Sequence, residues 1–244
     1  PLDYFGPALP ATVARAYDAA GGYSEAQRWD EAAQLGSFAL RLAARQEITV
    51  SLLQVERLVA VRALAVADSG DTELATELYD IRIDIVTDEN NWRSRIPTGL
   101  NVTREYDEQL WLILRSMAHR DRALLNSTRN GRMRQVLADM ELAIEHSVLA
   151  GRRENSVRIQ TRVIGNMVQT QQFEGALAAA EQRLSKMEAG EEGLMVEVWF
   201  GILRMGAVAA ANLGELDVAL EYFEHILELA EMSGYTDSLI QNDR

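Results

Sequence analysis

The apolar residues near the end of the chain recur at helical spacing. After Gly214 they are Leu216, Ala219, Leu220, Phe223, Ile226, Leu227 and Ala230. A second stripe on the same helix consists of the acids Asp217, Glu221, Glu224, Glu228 and Glu231. This pattern predicts an amphipathic helix with one buried face and one acidic face in water. Gly214 is expected to end the preceding helix in the left-handed conformation.

The same kind of helix start recurs upstream, and a small or apolar residue marks each copy. These anchor residues are Ala32, Ala75, Val136, Ala176 and Ala219, at intervals of 43, 61, 40 and 43 residues. An interval near 40 is typical of stacked helical units that are each too small to bury their own apolar face. A first helix should precede each anchor-bearing helix, and we predict first helices within residues 48–67, 106–125, 157–168 and 194–211.

The predicted first helices carry apolar residues on more than one side, as Val157, Ile164 and Met167 illustrate. That pattern suits a helix between two neighbours, whereas the anchor-bearing second helices should form an outer layer. The sequence therefore predicts an all-α fold, a right-handed superhelix of stacked antiparallel helix pairs. We expect one such α-α solenoid domain over residues 1–244, with about five pairs, in a fragment of a longer protein.

The long interval between the second and third anchors predicts an inserted loop at residues 87–103. Asn90, Pro97 and Gly99 are helix-breaking residues within it. Trp92 and Arg95 in this loop allow two interpretations. They can form a contact surface for a partner, or fold back to cover the gap between the second and third units, and we favour the covering role.

The last helix pair, ending GELDVALEYFEHILELAEMSGY, resembles a tetratricopeptide-type repeat. The matching features are the small Ala219, the aromatic Phe223 and the Gly before the second helix. Ala75 with Tyr79 repeats the small and aromatic pair. The longer unit resembles the helical-repeat sensor domain of bacterial signal-transduction ATPases, such as the maltose-operon transcription activator. The resemblance implies a module that binds a protein or peptide segment, or a small-molecule effector-binding domain of such a regulator.

The composition restricts the chemistry. A net charge of -13 argues against binding of nucleic acid or anionic membrane by the surface as a whole. The chain has no Cys, which excludes disulfides and thiolate metal sites. His119, His146 and His225 have no partners at the spacing of known metal motifs, and no phosphate-binding loop occurs. We therefore expect a non-catalytic protein without cofactor or metal. No signal peptide begins the sequence, and we expect a cytoplasmic location.

The arginines give the candidate binding site. Arg158, Arg162 and Asn166 recur every four residues and should project to one side of a first helix. Arg115, Arg204 and Asn212 lie on other first helices. Because first helices line the concave side of such a solenoid, the six residues could hold a carboxylate or phosphate of an anionic partner. Two alternatives stay open: the arginines pair with glutamates of adjacent repeats, or the chain is a spacer that associates with itself.

Overall fold

The computed structural model describes residues 11–87, 94, 100–103, 107–129, 131–188 and 196–233. Within these residues the chain forms ten helices and two three-residue strands. In chain order they are α1 Ala11–Glu25, α2 Trp29–Arg45, β1 Thr49–Ser51, α3 Leu52–Asp68, α4 Thr72–Thr87, β2 Asn101–Thr103, α5 Glu108–Asn126, α6 Met133–Leu149, α7 Arg153–Gln169, α8 Phe173–Glu188, α9 Val196–Leu213 and α10 Leu216–Ser233. The predicted all-α class is confirmed.

The chain divides into two compact units, residues 1–125 and 126–244. In the first unit α1 packs on α2, α2 on α3, and α3 on α4. In the second unit α6 packs on α7, α7 on α8, α8 on α9, and α9 on α10. α7 also packs directly on α9, so two first helices lie side by side. A single domain over residues 1–244 stays a prediction.

Each anchor residue is the fourth residue of an even-numbered helix, and each is buried. Its backbone N–H donates to the carbonyl of the residue just before the helix, as Ala32 does to Arg28 and Val136 does to Arg132. Ala32, Ala75, Val136 and Ala176 are fully buried, and Ala219 is 5% exposed. Small side chains at this point let the first turn of the second helix lie close to its neighbours.

A residue in the left-handed conformation stands five positions before every anchor. These residues are Gln27, Gly70, Gly131, Gln171 and Gly214. At Gly214 the N–H donates to Ala211, and the next N–H, of Glu215, reaches back to Ala210 at 3.0 Å. Gln171 and Gln172 repeat both hydrogen bonds. This is the Schellman pattern, which satisfies the last carbonyls of one helix while reversing the chain into the next.

The structure corrects the predicted helix start at residue 48, because the residues just before the helix form a β-strand. Helix α3 begins only at Leu52, because Ser51 caps it: the Ser51 hydroxyl accepts from the Gln54 N–H at 3.2 Å. The Gln54 side chain accepts from the Ser51 N–H in return, at 2.9 Å. The three residues before the helix form β1, which pairs in parallel with β2 at the end of the predicted insertion.

The described end of the insertion covers part of the first unit. Val50 is buried, and its register partner Val102 packs with Leu100 against the surrounding apolar cluster. Asn101 and Thr103 add side-chain hydrogen bonds to the carbonyls of Glu47 and Val50, both at 3.4 Å. Trp92 and Arg95 lie outside the described residues.

A buried ion-pair network joins α3, α4 and α5. Glu56 is 1% exposed and accepts from Nε of Arg82 at 2.5 Å. Nη1 of Arg82 donates to Asp121 at 2.7 Å, and Asp121 also binds Arg120. Burial opposes the charge on Arg82, but the two carboxylates outweigh that effect and hold the pKa of Arg82 above its ordinary value.

We predict that Gln171→Gly stabilises the protein by about 1 kcal/mol, because a left-handed conformation strains a residue with a side chain. Gln169→Gly is the matched control: residue 169 ends α7 in the right-handed conformation, so glycine there should destabilise. Chemical denaturation of both variants measures the two changes. A loss of stability in Gln171→Gly would contradict the prediction.

We predict that Arg82→Leu lowers the free energy of unfolding by about 3–5 kcal/mol, because it leaves the Glu56 carboxylate buried without a counter-charge. Adding Glu56→Leu should recover a large part of the loss. Arg120→Leu serves as control, since its side chain is 28% exposed and Asp121 keeps Arg82 as a partner, so the loss should be clearly smaller. Equal losses for Arg82→Leu and Arg120→Leu would refute the buried pair as a main contributor.

Candidate functional site

Three predicted arginines, Arg158, Arg162 and Arg204, have exposed side chains on α7 and α9. The two helices come close where their contact residues are small. A β-carbon at Gly201 would lie 3.2 Å from Cγ2 of Thr161, and one at Gly165 would lie 3.3 Å from the Met205 sulfur. The line of contact therefore runs through residues 161 and 165 of α7 and residues 201 and 205 of α9.

Helical geometry sets the arginines on the same side of that contact. Arg162 follows the contact residue Thr161 by one position, while Arg204 precedes the contact residue Met205 by one position. Alternate helices of an antiparallel stack run parallel, so these opposite offsets turn both side chains toward one side of the helix pair. Arg158 is one turn before Arg162. We call Arg158, Arg162 and Arg204 the arginine face.

The guanidinium groups of the arginine face have no hydrogen bond or ion pair with any residue that the structure describes. Other basic side chains of the second unit do pair: Arg183 and Lys186 both bind the carboxylate of Glu141. The alternative interpretation, in which glutamates of adjacent repeats neutralise the arginines, therefore finds no such pair among the described residues.

The remaining predicted site residues hold the structure together. The Asn166 amide donates to the Ser127 hydroxyl at 2.6 Å, which ties α7 to the turn after α5. Asn212 donates to the Val208 carbonyl of its own helix at 2.7 Å. Nε of Arg115 donates to the Val86 carbonyl at 2.8 Å, within the first unit. The structure thus groups the three arginines of α7 and α9 and gives these three side chains local partners.

A second concave site, between α8, α9 and α10, was not predicted. This acidic pocket has a volume of about 450 Å³. It is lined by Glu181, Leu184, Ser185, Trp199, Leu203, Val218, Glu221, Tyr222, His225, Glu228 and Leu229. The carboxylates are exposed at its rim, and half-buried Trp199 forms part of the wall.

Tyr222 lines the acidic pocket and is 5% exposed. Its hydroxyl has no hydrogen-bond partner within the described residues. Burial raises the pKa of Tyr222 well above its usual range, and the carboxylates of Glu181 and Glu221 raise it further. The hydroxyl is therefore a neutral phenol close to negative charge. Gly206 of α9 allows this position, because a β-carbon there would lie 2.6 Å from the Tyr222 ring.

The sequence pattern gave a weak signal for this pocket. Glu221 and Glu228 belong to the acidic stripe that the sequence places in water. In the structure, Nδ1 of His225 lies within 2.9 Å of the Glu221 backbone carbonyl. Glu181, which comes from another helix, completes the acidic rim. Only the spacing of acids and aromatics along one side of α10 hinted at a site.

The apolar residues of α10 are less buried than their pattern predicted. Leu216, Leu220, Phe223 and Leu227 are 48–69% exposed and form an open apolar stripe. Four positions after the anchor, where α10 has Phe223, the earlier even-numbered helices have Gly36, Tyr79, Met140 and Ala180, all of them buried. In α2 this position meets Leu58 of α3, the first helix of the next repeat. In α10 the residue at this position, Phe223, is 48% exposed.

Comparison with known proteins identifies the fold. A crystal structure of a Podosopora anserina protein assigned as a kinesin light chain, with nearly identical TPR-like repeats, is 16% identical to this chain. The TM-score is 0.53, over 93% of this chain and 99% of that chain. A single-substitution variant of that protein gives 15% identity and a TM-score of 0.52, over 94% of this chain and 99% of that chain. The tetratricopeptide-like repeat fold is thus confirmed.

The sequence itself matches no protein-family model and no curated protein. Across the helices that the structure describes, none has the length and apolar character needed to cross a membrane.

We predict that Gly206→Ala lowers the free energy of unfolding by about 1–3 kcal/mol, because the added methyl overlaps a rigid aromatic ring. Gly22→Ala is the matched control in helix α1, where a β-carbon meets nothing within 4 Å. That variant should stabilise by about 0.5–1 kcal/mol through helix propensity. Thermal and chemical unfolding measure both changes, and the prediction fails if the two substitutions have the same sign.

Proposed function

We propose that the chain is a non-catalytic helical-repeat scaffold that binds an anionic protein or peptide segment along the arginine face. The observation that carries the proposal is the group of three exposed guanidinium groups on adjacent helices, which have no counter-charge among the described residues. An arginine fork binds carboxylate or phosphate in two parallel hydrogen bonds, which makes it suited to such a segment.

The charge of the rest of the chain supports this choice of site. The 244-residue chain has a net charge of -13, and α10 carries acids without lysine or arginine. An anionic segment is repelled by most of such a surface and attracted where the arginines concentrate positive charge. The electrostatic field of the chain therefore favours binding at the arginine face, and it favours an anionic partner.

In its biological setting, the chain serves as an interaction or sensor module of a cytoplasmic bacterial regulatory protein, as the resemblance to signal-transduction ATPases implies. A second candidate is a small-molecule effector-binding domain of such a regulator. The acidic pocket favours this second role, because its volume of about 450 Å³ is within the range of small-molecule sites.

The proposal is tested with labelled twelve-residue peptides that have the same apolar residues and carry either glutamate or glutamine at the polar positions. We predict saturable binding of the glutamate peptides in fluorescence anisotropy. Arg162→Gln and Arg204→Gln should each weaken it about tenfold, because each removes a charge-assisted contact.

Arg134→Gln is the matched control, since Arg134 is an exposed arginine of α6 in the same unit. It removes the same charge away from the arginine face and should leave the affinity within about twofold. Equal losses in all three variants would show attraction by overall charge alone and would overturn the proposed site. Equal binding of the glutamine peptides, or the absence of saturable binding, would overturn the proposed partner.

A further inference from the structure

We propose that the acidic pocket is a binding site for an alkylguanidinium or alkylammonium group, whose N–H donors reach the buried Tyr222 hydroxyl between the carboxylates of Glu181 and Glu221. The group can belong to a free organic cation or to an arginine or lysine side chain of a peptide. The inference is independent of the arginine face, because none of Arg158, Arg162 and Arg204 lines the pocket.

The buried hydroxyl is the first argument. Tyr222 is 95% buried and its oxygen has no partner within the described residues, although an unpaired buried polar group is unfavourable. Tyr222 lines the pocket, and its hydroxyl is covered in the empty protein, so a ligand that displaces an exposed rim side chain can supply the missing hydrogen bond. A donor is favoured over an acceptor, since the neighbouring carboxylates are themselves acceptors.

The charge at the rim is the second argument. Glu181, Glu221 and Glu228 reach the pocket from α8 and α10. The raised pKa of Tyr222 reflects burial first and then the proximity of the Glu181 and Glu221 carboxylates to the hydroxyl. An anion would meet repulsion from all three acids, whereas a cation is attracted by each.

The apolar lining of the pocket favours an organic cation over a metal ion. Leu184, Leu203, Val218 and Leu229 line the pocket beside the indole of Trp199, a surface that suits an aliphatic chain. The Trp199 ring can also attract the cationic end. Among the described residues no three His, Asp or Glu side chains are placed so that they could hold a metal ion. A guanidinium with five N–H donors, or an ammonium with three, satisfies the hydroxyl and the carboxylates together.

The experiment uses the whole chain and measures binding by titration calorimetry. The probes are butylguanidinium, butylammonium and the neutral butanol, together with a blocked Gly-Arg-Gly tripeptide and its norleucine counterpart. We expect saturable binding of the cationic probes and none of the neutral ones. Tighter binding of the tripeptide than of butylguanidinium would identify a peptide side chain as the source, and the reverse order would identify a free cation.

Two variants test the residues. Tyr222→Phe should weaken binding of the cationic probes about tenfold, because it removes a hydrogen bond to a charged group. The melting temperature of the empty protein should stay the same or rise, since the substitution removes an unpaired buried hydroxyl. Glu221→Gln should also weaken binding, whereas Glu224→Gln, at an exposed acid of α10 outside the pocket lining, should not.

The outcomes separate a ligand-binding role from a structural one. Unchanged affinity in Tyr222→Phe would overturn the proposal, and a lowered melting temperature with unchanged affinity would assign the hydroxyl to stability alone. Binding of butanol as tight as that of butylammonium would show an apolar cavity and would also overturn it. None of these results bears on the glutamate-peptide test of the arginine face, so the two proposals can fail separately.

Discussion

The left-handed turn before each anchor is the constraint on which the repeats depend. It reverses the chain within a few residues and fixes where the next helix begins, so the anchor always becomes the fourth residue of that helix. The small or apolar anchor can then be buried in every copy. Three copies use glycine, for which this conformation is easy, and two use glutamine, which shows that the packing of the pair outweighs about 1–2 kcal/mol of backbone strain.

In the second unit, a basic surface and an acidic surface lie on different sides of one helix. Helix α9 presents Arg204 beside α7, and it presents Trp199 and Leu203 to the acidic pocket beside α8 and α10. One helix therefore borders both a basic and an acidic surface. Because a first helix lies between neighbours, its different sides meet different surroundings, and the sequence can specify each surface by a few residues. This arrangement lets one scaffold present two surfaces of opposite charge.

Helical periodicity predicted the fold class and the position of the helix pairs, because both are local properties of the sequence. The predicted start of α3 was wrong by several residues. The apolar run continues upstream of the helix, but the cap at Ser51 fixes the first helical residue at Leu52. The hydrogen bond from Asn166 to Ser127 could not be predicted, because the two residues are distant in sequence. The acidic pocket and the buried Glu56 likewise depend on contacts between separate helices, which spacing along one helix does not reveal.

The open stripe on α10 has a consequence for how such a chain can change in length. Phe223 occupies the position that is buried in the earlier repeats and that meets the following helix in α2, yet it is 48% exposed. Each repeat touches mainly its neighbours, so a duplicated helix pair joined after α10 would meet a surface already suited to it. The earlier repeats would need no compensating substitutions. Gene duplication could therefore extend the scaffold in whole units while the existing repeats keep their packing.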